Sequence, residues 1–593
     1  MGFNRLSIID LSDRARQPMS TPDGRFTIVF NGEIYNYRRL RADLLARGEL
    51  LRSTSDTEVV LTLYAQHGEA CLNVLEGMFA FVVYDRDKHS LFFARDPLGQ
   101  KPLLYAEVSG RLVLAQEIKS FQSLRPDRWP LEPVAVSSFL AYGSIQTPLT
   151  ILEGVAALPP GHCGTWRDGR LYLRRYWDLR SNDGTAIMDY RRAKQHLRAL
   201  LTQIVDEHLV SDVPVAAFLS GGVDSSIISA VVRRELGRPL QTISFGFSEA
   251  PTEYNEDVLC AASVAAELGT NHREVRVTPE AVLDEMERFA DRLDQPTADG
   301  LNVYLISREA RRFVTVALSG LGGDELFAGY SLHRIAYLGE HLRRPLTASP
   351  WLRTHLKALT NRIRNTEAGL HPFFRMIAYA TAGAEPSDGY SALTSVFSEQ
   401  EIGTIVRPGF LIPCQTITVP FGKSSSGRKR DRLSEFSLAV IEQYMQPTLL
   451  RDADILGMAN SLEIRSPLVD RRLVEWAMAL PHSYKMGWAS SKRILVDAFR
   501  DILPVEILQR RKRGFLFPVI AWMHRPDFQR WVIEVLTSPF AKEALDESRV
   551  RAVLREFYQT TSVRPRMFRA YQRVWVLLIL VLWLQRWGNA RRA

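Results

Sequence analysis

Three groups of residues have the types and spacing for chemistry on a phosphate. The first is Leu219-Ser220-Gly221-Gly222-Val223-Asp224-Ser225-Ser226, which ends the apolar run from Val213 and precedes Ile227, Ile228, Ala230, Val231 and Val232. This pattern predicts a buried strand, a tight glycine turn and the N-terminus of a helix. In such a turn backbone N–H groups can approach an anion closely, and the helix end adds partial positive charge. The hydroxyls of Ser220, Ser225 and Ser226 add donors. A carboxylate at Asp224 beside phosphates is unfavourable unless a cation intervenes, which points to Mg²⁺. The second group, Ser319-Gly320-Leu321-Gly322-Gly323-Asp324-Glu325, again follows an apolar strand pattern, and Asp324 can share the metal with Asp224. The third is a pair of lysines, Lys492 in Ser490-Ser491-Lys492 and Lys512 in Arg510-Arg511-Lys512-Arg513-Gly514-Phe515. A lysine at such a site neutralises charge developing on phosphate or on a tetrahedral intermediate.

The first turn resembles the pyrophosphate loop of the ATP pyrophosphatases, which split ATP to AMP and pyrophosphate. No Gly-Lys-Ser/Thr ends it, so the other common phosphate loop is excluded.

The elements that must hold these groups alternate between strand and helix from about residue 190. Leu240 to Gly246 reads as a second strand and Phe313 to Leu318 as a third, with helical stretches between. The pattern predicts a doubly wound parallel sheet with its ligand at the strand C-termini. Phe245, at the end of the second strand, either packs on the adenine or is an ordinary core aromatic. Beyond 331 the chain reads as mainly helical, with no interpretable motif up to 440 and a loop at Lys423-Ser424-Ser425-Ser426-Gly427. The charged stretch Arg451-Asp452-Ala453-Asp454 through Glu463, Arg465 and Asp470 is either part of the site or a paired network beneath it.

Residues 1–180 have a different grammar. Short strand patterns at Phe26 to Phe30, Met78 to Tyr84, Ser90 to Ala94, Leu103 to Tyr105 and Leu112 to Ala115 are separated by hairpin signals such as Asp85-Arg86-Asp87-Lys88. Helical patterns lie near Tyr37 to Arg47 and Thr57 to Gln66. Sheets with helices outside them suggest a four-layer α+β domain. Leu158-Pro159-Pro160-Gly161 and Ser181-Asn182-Asp183-Gly184 punctuate the exit, and the linker is placed at 180–190, ahead of a second domain at 190–593.

The chain has 593 residues, 46% apolar and 24% charged, with a net charge of +9. Its length calls for at least two domains. The basic residues are scattered apart from Arg428-Lys429-Arg430 and Arg510 to Arg513, which argues against a nucleic-acid partner. Cys71, Cys163, Cys260 and Cys414 have neither metal-ligand nor disulfide spacing, so a reducing cytoplasm is expected. The longest apolar run, Val574 to Leu584, is too short to span a bilayer and reads as a buried C-terminal helix, with no membrane role.

Taken together, the chain resembles the glutamine-hydrolysing asparagine synthetases over nearly its whole length. The motifs that carry the resemblance are Arg5-Leu6-Ser7-Ile8-Ile9-Asp10, Asn31-Gly32-Glu33-Ile34-Tyr35-Asn36, Ser55-Asp56-Thr57-Glu58, Gly77-Met78-Phe79-Ala80-Phe81, Ala94-Arg95-Asp96-Pro97-Leu98-Gly99, the pyrophosphate loop and Ser461 to Pro467. The resemblance implies an N-terminal-nucleophile-like αββα glutaminase domain followed by an α/β ATP-pyrophosphatase domain with a helical C-terminal part. It implies glutamine binding by Arg5, Asn31, Gly32, Glu33 and Asp56, with Arg5 on the carboxylate, Asp56 on the amino group, and Asn31 and Gly32 as oxyanion hole. It implies ATP and pyrophosphate binding by Leu219, Ser220, Gly221, Gly222, Asp224, Ser225, Phe245, Ser319 and Gly320. Mg²⁺ is expected at Asp224 and Asp324, and Lys492 and Lys512 beside the pyrophosphate. Glutamine or ammonia supplies nitrogen to aspartate or another carboxylate acceptor, and a homodimer is compatible with the family.

Two departures stand out. The family's nucleophilic cysteine and the segment after it have no counterpart ahead of Arg5, so an N-terminally truncated chain is expected. Such a chain would use ammonia, and its N-terminal sheets would be left with exposed edges and core. Leu321 stands where many members carry an acidic residue assigned to the acceptor and ammonia step. This leaves open another carboxylate acceptor, as in related lactam and peptide-cyclising synthetases, or a non-catalytic scaffolding role.

Overall fold

The computed structural model describes residues 1–589 apart from 125–128, 182–187, 252–253, 365, 384, 409, 411–430, 488–489, 511–516 and 561–563. Lys512, Cys414, the loop at Lys423 to Gly427 and most of the expected linker lie outside the described residues.

Among the described residues the first half carries nine strands: β1 (Met19–Ser20), β2 (Phe26–Ile34), β3 (Gly77–Asp85), β4 (Ser90–Arg95), β5 (Leu104–Val108), β6 (Arg111–Ala115), β7 (Ala156–Ala157), β8 (His162–Arg167) and β9 (Arg170–Arg175). They form a six-stranded antiparallel sheet, ordered β1-β2-β3-β4-β8-β9, and a three-stranded sheet, β6-β5-β7. One face of the large sheet (Ile28, Phe30, Phe81, Val83, Phe92) packs on the helices Tyr37–Ala46 and Asp56–His67 through Leu40, Leu44, Val59, Val60 and Leu63. Its other face (Ala80, Val82, Phe93) meets Tyr105, Leu112 and Leu114 of the small sheet. The alternate residues of that small sheet, Leu104, Ala106, Val113 and Ala115, face Val136, Phe139 and Leu140 of the helix Pro133–Tyr142. The two-residue period of the strands thus builds the four layers helix, sheet, sheet, helix.

The expected exposed core is not seen. Phe30, Phe79, Phe81, Phe92 and Phe93 are all buried by the residues present, and the edge strand β1 is only two residues long.

The described residues of the second half contain five parallel strands, β10 (Val215–Phe218), β11 (Gln241–Phe247), β12 (Asn271–Val277), β13 (Val316–Leu318) and β14 (Glu463–Arg465), ordered β12-β11-β10-β13-β14. Strand order reverses at β10, which pairs β11 on one side and β13 on the other. A crevice at this switch point is where a doubly wound sheet places its ligand.

The C-terminal helix runs Arg564–Asn589, well beyond the apolar run seen in the sequence. By length and composition Arg566–Arg586 could cross a membrane. Its stretch Val574 to Leu584 is instead packed inside the largest core of the protein, against Phe289, Leu293 and Leu536.

Candidate active site

The pyrophosphate-loop residues sit at the C-terminal ends of the two central strands. Leu219 is buried and donates its N–H to Ile243 of β11, which fixes where the turn leaves the sheet. Gly221 has φ +67°, and a side chain there would run into the Asp257 carbonyl at 2.5 Å, so only glycine fits. The helix Val223–Ala230 then begins with no side chain capping its N-terminus, which leaves its first N–H groups free for an anion. Ser225 Oγ accepts from the Ser220 N–H at 3.2 Å and lies 3.1 Å from Ser220 Oγ, so the two hydroxyls hold the turn.

The turn after β13 is brought alongside. Ser319 N–H donates to the Arg465 carbonyl of β14 at 2.8 Å. Gly323 lies directly against Asp224: a Cβ there would be 2.4 Å from the Asp224 carboxylate. Lys492 closes the group. Its N–H donates to the Phe327 carbonyl at 3.1 Å, anchoring it to the Gly322–Phe327 turn. Its φ of +54° is costly for a side chain with a Cβ. The buried Nζ is hydrogen-bonded to Asp224 Oδ2 and lies 2.7 Å from Asp324 Oδ1. The structure therefore brings together Ser220, Gly221, Asp224, Ser225, Ser319, Gly320, Asp324 and Lys492.

Other residues contribute that sequence reasoning did not assign. Arg510 donates to the Gly221 carbonyl at 3.0 Å and pairs with Asp257, tying the turn to the helix Glu256–Leu268. The basic run it opens was the available signal. Glu325 is buried, accepts from the Tyr330 hydroxyl at 2.5 Å, and its carboxyl is raised by burial. Phe245 is 7% exposed and packs within the main apolar cluster. Leu321 is half-buried against the same apolar cluster as Val223.

The glutamine-side residues are more dispersed in role. Asn31 and Gly32 lie within β2, paired with Ala80 and Phe79 of β3. Arg5 donates to the carbonyls of Ile9 and Asp10 at 2.7 and 2.6 Å. Asp56 is buried, accepts from the Ile34 and Thr57 N–H groups, and is pushed up to about 6 by burial. Glu33 joins the two halves. Its carboxylate is buried between the halves and takes Arg465 Nη2 at 3.0 Å. Burial raises it well above the usual carboxylate range, against the pull of Arg465.

That ion pair belongs to a polar seam joining the halves. Lys101 Nζ meets Asp454 at 2.6 Å with both groups buried. Arg180 pairs with Glu442, the Trp177 indole N–H donates to Glu475, and Tyr35 stacks on His208 at 3.6 Å between ring centroids. Arg451 and Asp452 instead pair within the second half, with Asp294 and Thr297. The charged stretch 451–470 is therefore a paired network, and its Asp454 and Arg465 are bound to the first half.

Comparison with known proteins settles the kinship. The asparagine synthase family model matches residues 196–587, and the glutamine amidotransferase domain model matches residues 1–177. The chain belongs to the asparagine synthase family. It is 31% identical to asparagine synthetase [glutamine-hydrolyzing] 1 of Bacillus subtilis over 98% of this chain and 89% of that protein. It is 30% identical to asparagine synthetase [glutamine-hydrolyzing] 3 of the same organism, over 90% of this chain and 82% of the relative. It is also 28% identical to amidase chyE of Penicillium rubens, over 89% and 82%. The protein is a ligase of the glutamine-hydrolysing asparagine synthetase type, an ATP-dependent amidotransferase of amino-acid biosynthesis.

Proposed function

We propose that this protein activates the side-chain carboxylate of aspartate with ATP and forms asparagine by ammonia transfer. A carboxylate oxygen attacks the α-phosphorus, pyrophosphate leaves, and the acyl-AMP gives up AMP when ammonia attacks the acyl carbon and loses a proton. The observation that carries this reading is the convergence of Asp224, Asp324 and Lys492 where two glycine turns leave the adjacent parallel strands β10 and β13. The Gly221–Gly222 turn and the uncapped helix cradle the departing pyrophosphate, and Lys492 neutralises its growing charge.

Mg²⁺ fits this donor set. Asp224 Oδ1 is buried and has no hydrogen-bond partner, so a hard oxygen is free beside Asp324. Among the described residues no cluster of three or more His, Cys, Asp or Glu could hold a metal alone. Two carboxylates completed by substrate phosphates are the usual Mg²⁺ arrangement. When bound, the ion would offset the negative charge of the phosphates, and Asp224 and Asp324 would hold it.

For nitrogen, free ammonia is the source that the described residues can serve. Cys71 and Cys163 are buried in the apolar core, and burial raises both thiols, Cys71 to about 12. Cys260 lies against Gly221, and burial raises it too. None of the three is an activated thiolate. Leu321 favours a second reading in which another carboxylate is the acceptor, because leucine can neither bind ammonium nor move a proton.

Purified protein is assayed with ATP, Mg²⁺ and aspartate, with ammonia or glutamine as alternative nitrogen sources. Formation of AMP, pyrophosphate and asparagine with ammonia is expected. ADP and phosphate as products would sink the adenylation chemistry. Turnover with another carboxylate but not with aspartate would replace the acceptor, and glutamine-driven amide formation free of ammonia would overturn the nitrogen source.

A further inference from the structure

A cavity of about 510 Å³ lies among the helices Pro350–Ile363, Pro372–Thr381, Pro386–Thr394 and Arg564–Asn589, away from the glycine turns. Among the described residues its charged lining is lopsided: the exposed Lys357, the half-buried Arg364 and Arg375 and the buried Arg569 face Asp388 and Glu399. Asp388 is already engaged, accepting from the Glu385 N–H. Arg364 and Arg375 each spend one nitrogen on protein acceptors, Ser395 and the Leu393 carbonyl, and have N–H groups to spare. Arg569 is 8% exposed, and its Nε has no hydrogen-bond partner. The nearby Glu401 offsets only part of this charge, because Arg573 also takes that carboxylate at 2.9 Å.

A buried guanidinium with two half-buried ones beside it and too few carboxylates is costly, and such an arrangement persists when a ligand supplies the missing charge. Burial, with Arg364, Arg573 and Arg375 beside it, pulls Arg569 down to about 9. Burial also lowers Arg364 and Arg375. The planar forks of three arginines match the oxygens of a phosphoryl group, and four cations against two carboxylates leave room for a dianion.

We propose that Arg364, Arg375 and Arg569 form a second anion site, separate from the ATP site, that binds a phosphate dianion, either inorganic phosphate or the phosphate of a small monoester.

The test is calorimetric titration of the full chain with inorganic phosphate, with glycerol 3-phosphate as the monoester probe and succinate as the dicarboxylate probe. The Lys492→Ala variant separates this site from the pyrophosphate turn. Saturable phosphate binding is expected to survive Lys492→Ala and to weaken about ten-fold or more in Arg569→Gln and in Arg375→Gln. Tighter binding of glycerol 3-phosphate than of phosphate identifies the monoester as the ligand, and the reverse identifies the free ion. In phosphate-free buffer Arg569→Gln should melt no lower than the parent, because it removes an unmatched buried charge, and added phosphate should raise the melting temperature of the parent only. Loss of phosphate binding in Lys492→Ala, unchanged binding in Arg569→Gln, or succinate binding as tightly as phosphate would each overturn the assignment. A lower melting point for Arg569→Gln without phosphate would make the arginine a structural cation and also overturn it.

Discussion

Lys492 does two things that its type alone does not require. Its backbone is held at positive φ by the bond to Phe327, and its Nζ keeps two carboxylates close that would otherwise repel. Removing it should therefore hurt twice, by losing the charge on the leaving pyrophosphate and by letting Asp224 and Asp324 separate. Lys492→Ala is expected to lower ATP–pyrophosphate exchange about 100-fold or more, and Lys492→Arg to restore little, since the longer planar head cannot occupy the same point. A geometric counterpart leaves every charge in place. Gly323→Ala puts a methyl group 2.4 Å from the Asp224 carboxylate, which must shift to make room. A displacement of that size should cost about 100-fold in the same exchange assay. Exchange at the parent rate in Gly323→Ala would show that Asp224 can move without consequence, and would remove it from the centre of the reaction.

At the scale of elements, legibility followed the clarity of the burial pattern. The strands β2, β3, β4 and β10 and the hairpin β5–β6 bury alternate or continuous apolar residues, and the sequence reading found each within a few residues. It missed β12, whose residues Asn-His-Arg-Glu-Val-Arg-Val are polar because it is the sheet's edge with both faces partly open. It missed β14 as well, since Glu-Ile-Arg looks exposed until the first half covers it. Of the candidate site, the two glycine turns were readable because backbone geometry demands glycine there. The pairing of Glu33 with Arg465 was not readable, because the two lie 432 residues apart. The charged helix Arg451–Met458 shows what such burial does to a titration. Asp452 is fully buried, and burial pushes its carboxyl up to about 7 from 3.8, against the opposing pull of Arg451 and the Thr297 hydroxyl. The folded state thus holds this proton more tightly than the unfolded chain. Stability should be greatest below pH 3.8 for this group and decline as pH rises toward 7, by at most about 1.4 kcal/mol per pH unit. Asp452→Asn keeps an oxygen for Thr297 and removes the titration. Urea midpoints between pH 4 and 7 should be flatter in the variant, and an unchanged slope would assign the pH dependence to other groups. Asp56, raised to about 6, contributes in the same direction at lower pH and remains in both proteins.

At the scale of the whole molecule, the two halves share an apolar core, in which Val136, Phe139 and Leu140 lie with Val574 to Leu584, and beside it a seam of buried polar groups. Glu33 of β2 and Arg465 of β14 meet across that seam at 3.0 Å. Lys101 and Asp454 are the cleanest probe of it, because the pair is buried on both sides and touches neither glycine turn. Taking two charges out of water costs about as much as their attraction returns, so the pair should add little net stability. Breaking it is different. In Lys101→Met the Asp454 carboxylate keeps its burial and loses its counter-ion, and the seam should weaken by about 3–5 kcal/mol. The double variant Lys101→Met, Asp454→Leu removes both charges and should recover most of that loss. Two measurements follow each protein: the urea midpoint, for stability, and the yield of amide per ATP split, for communication between halves. If the pair only fills space, the double variant restores both. If it sets the registration of the halves, the double variant restores stability while ATP cleavage runs ahead of amide formation. A single variant as stable as the parent would mean that water reaches Asp454 and that the seam is not dry.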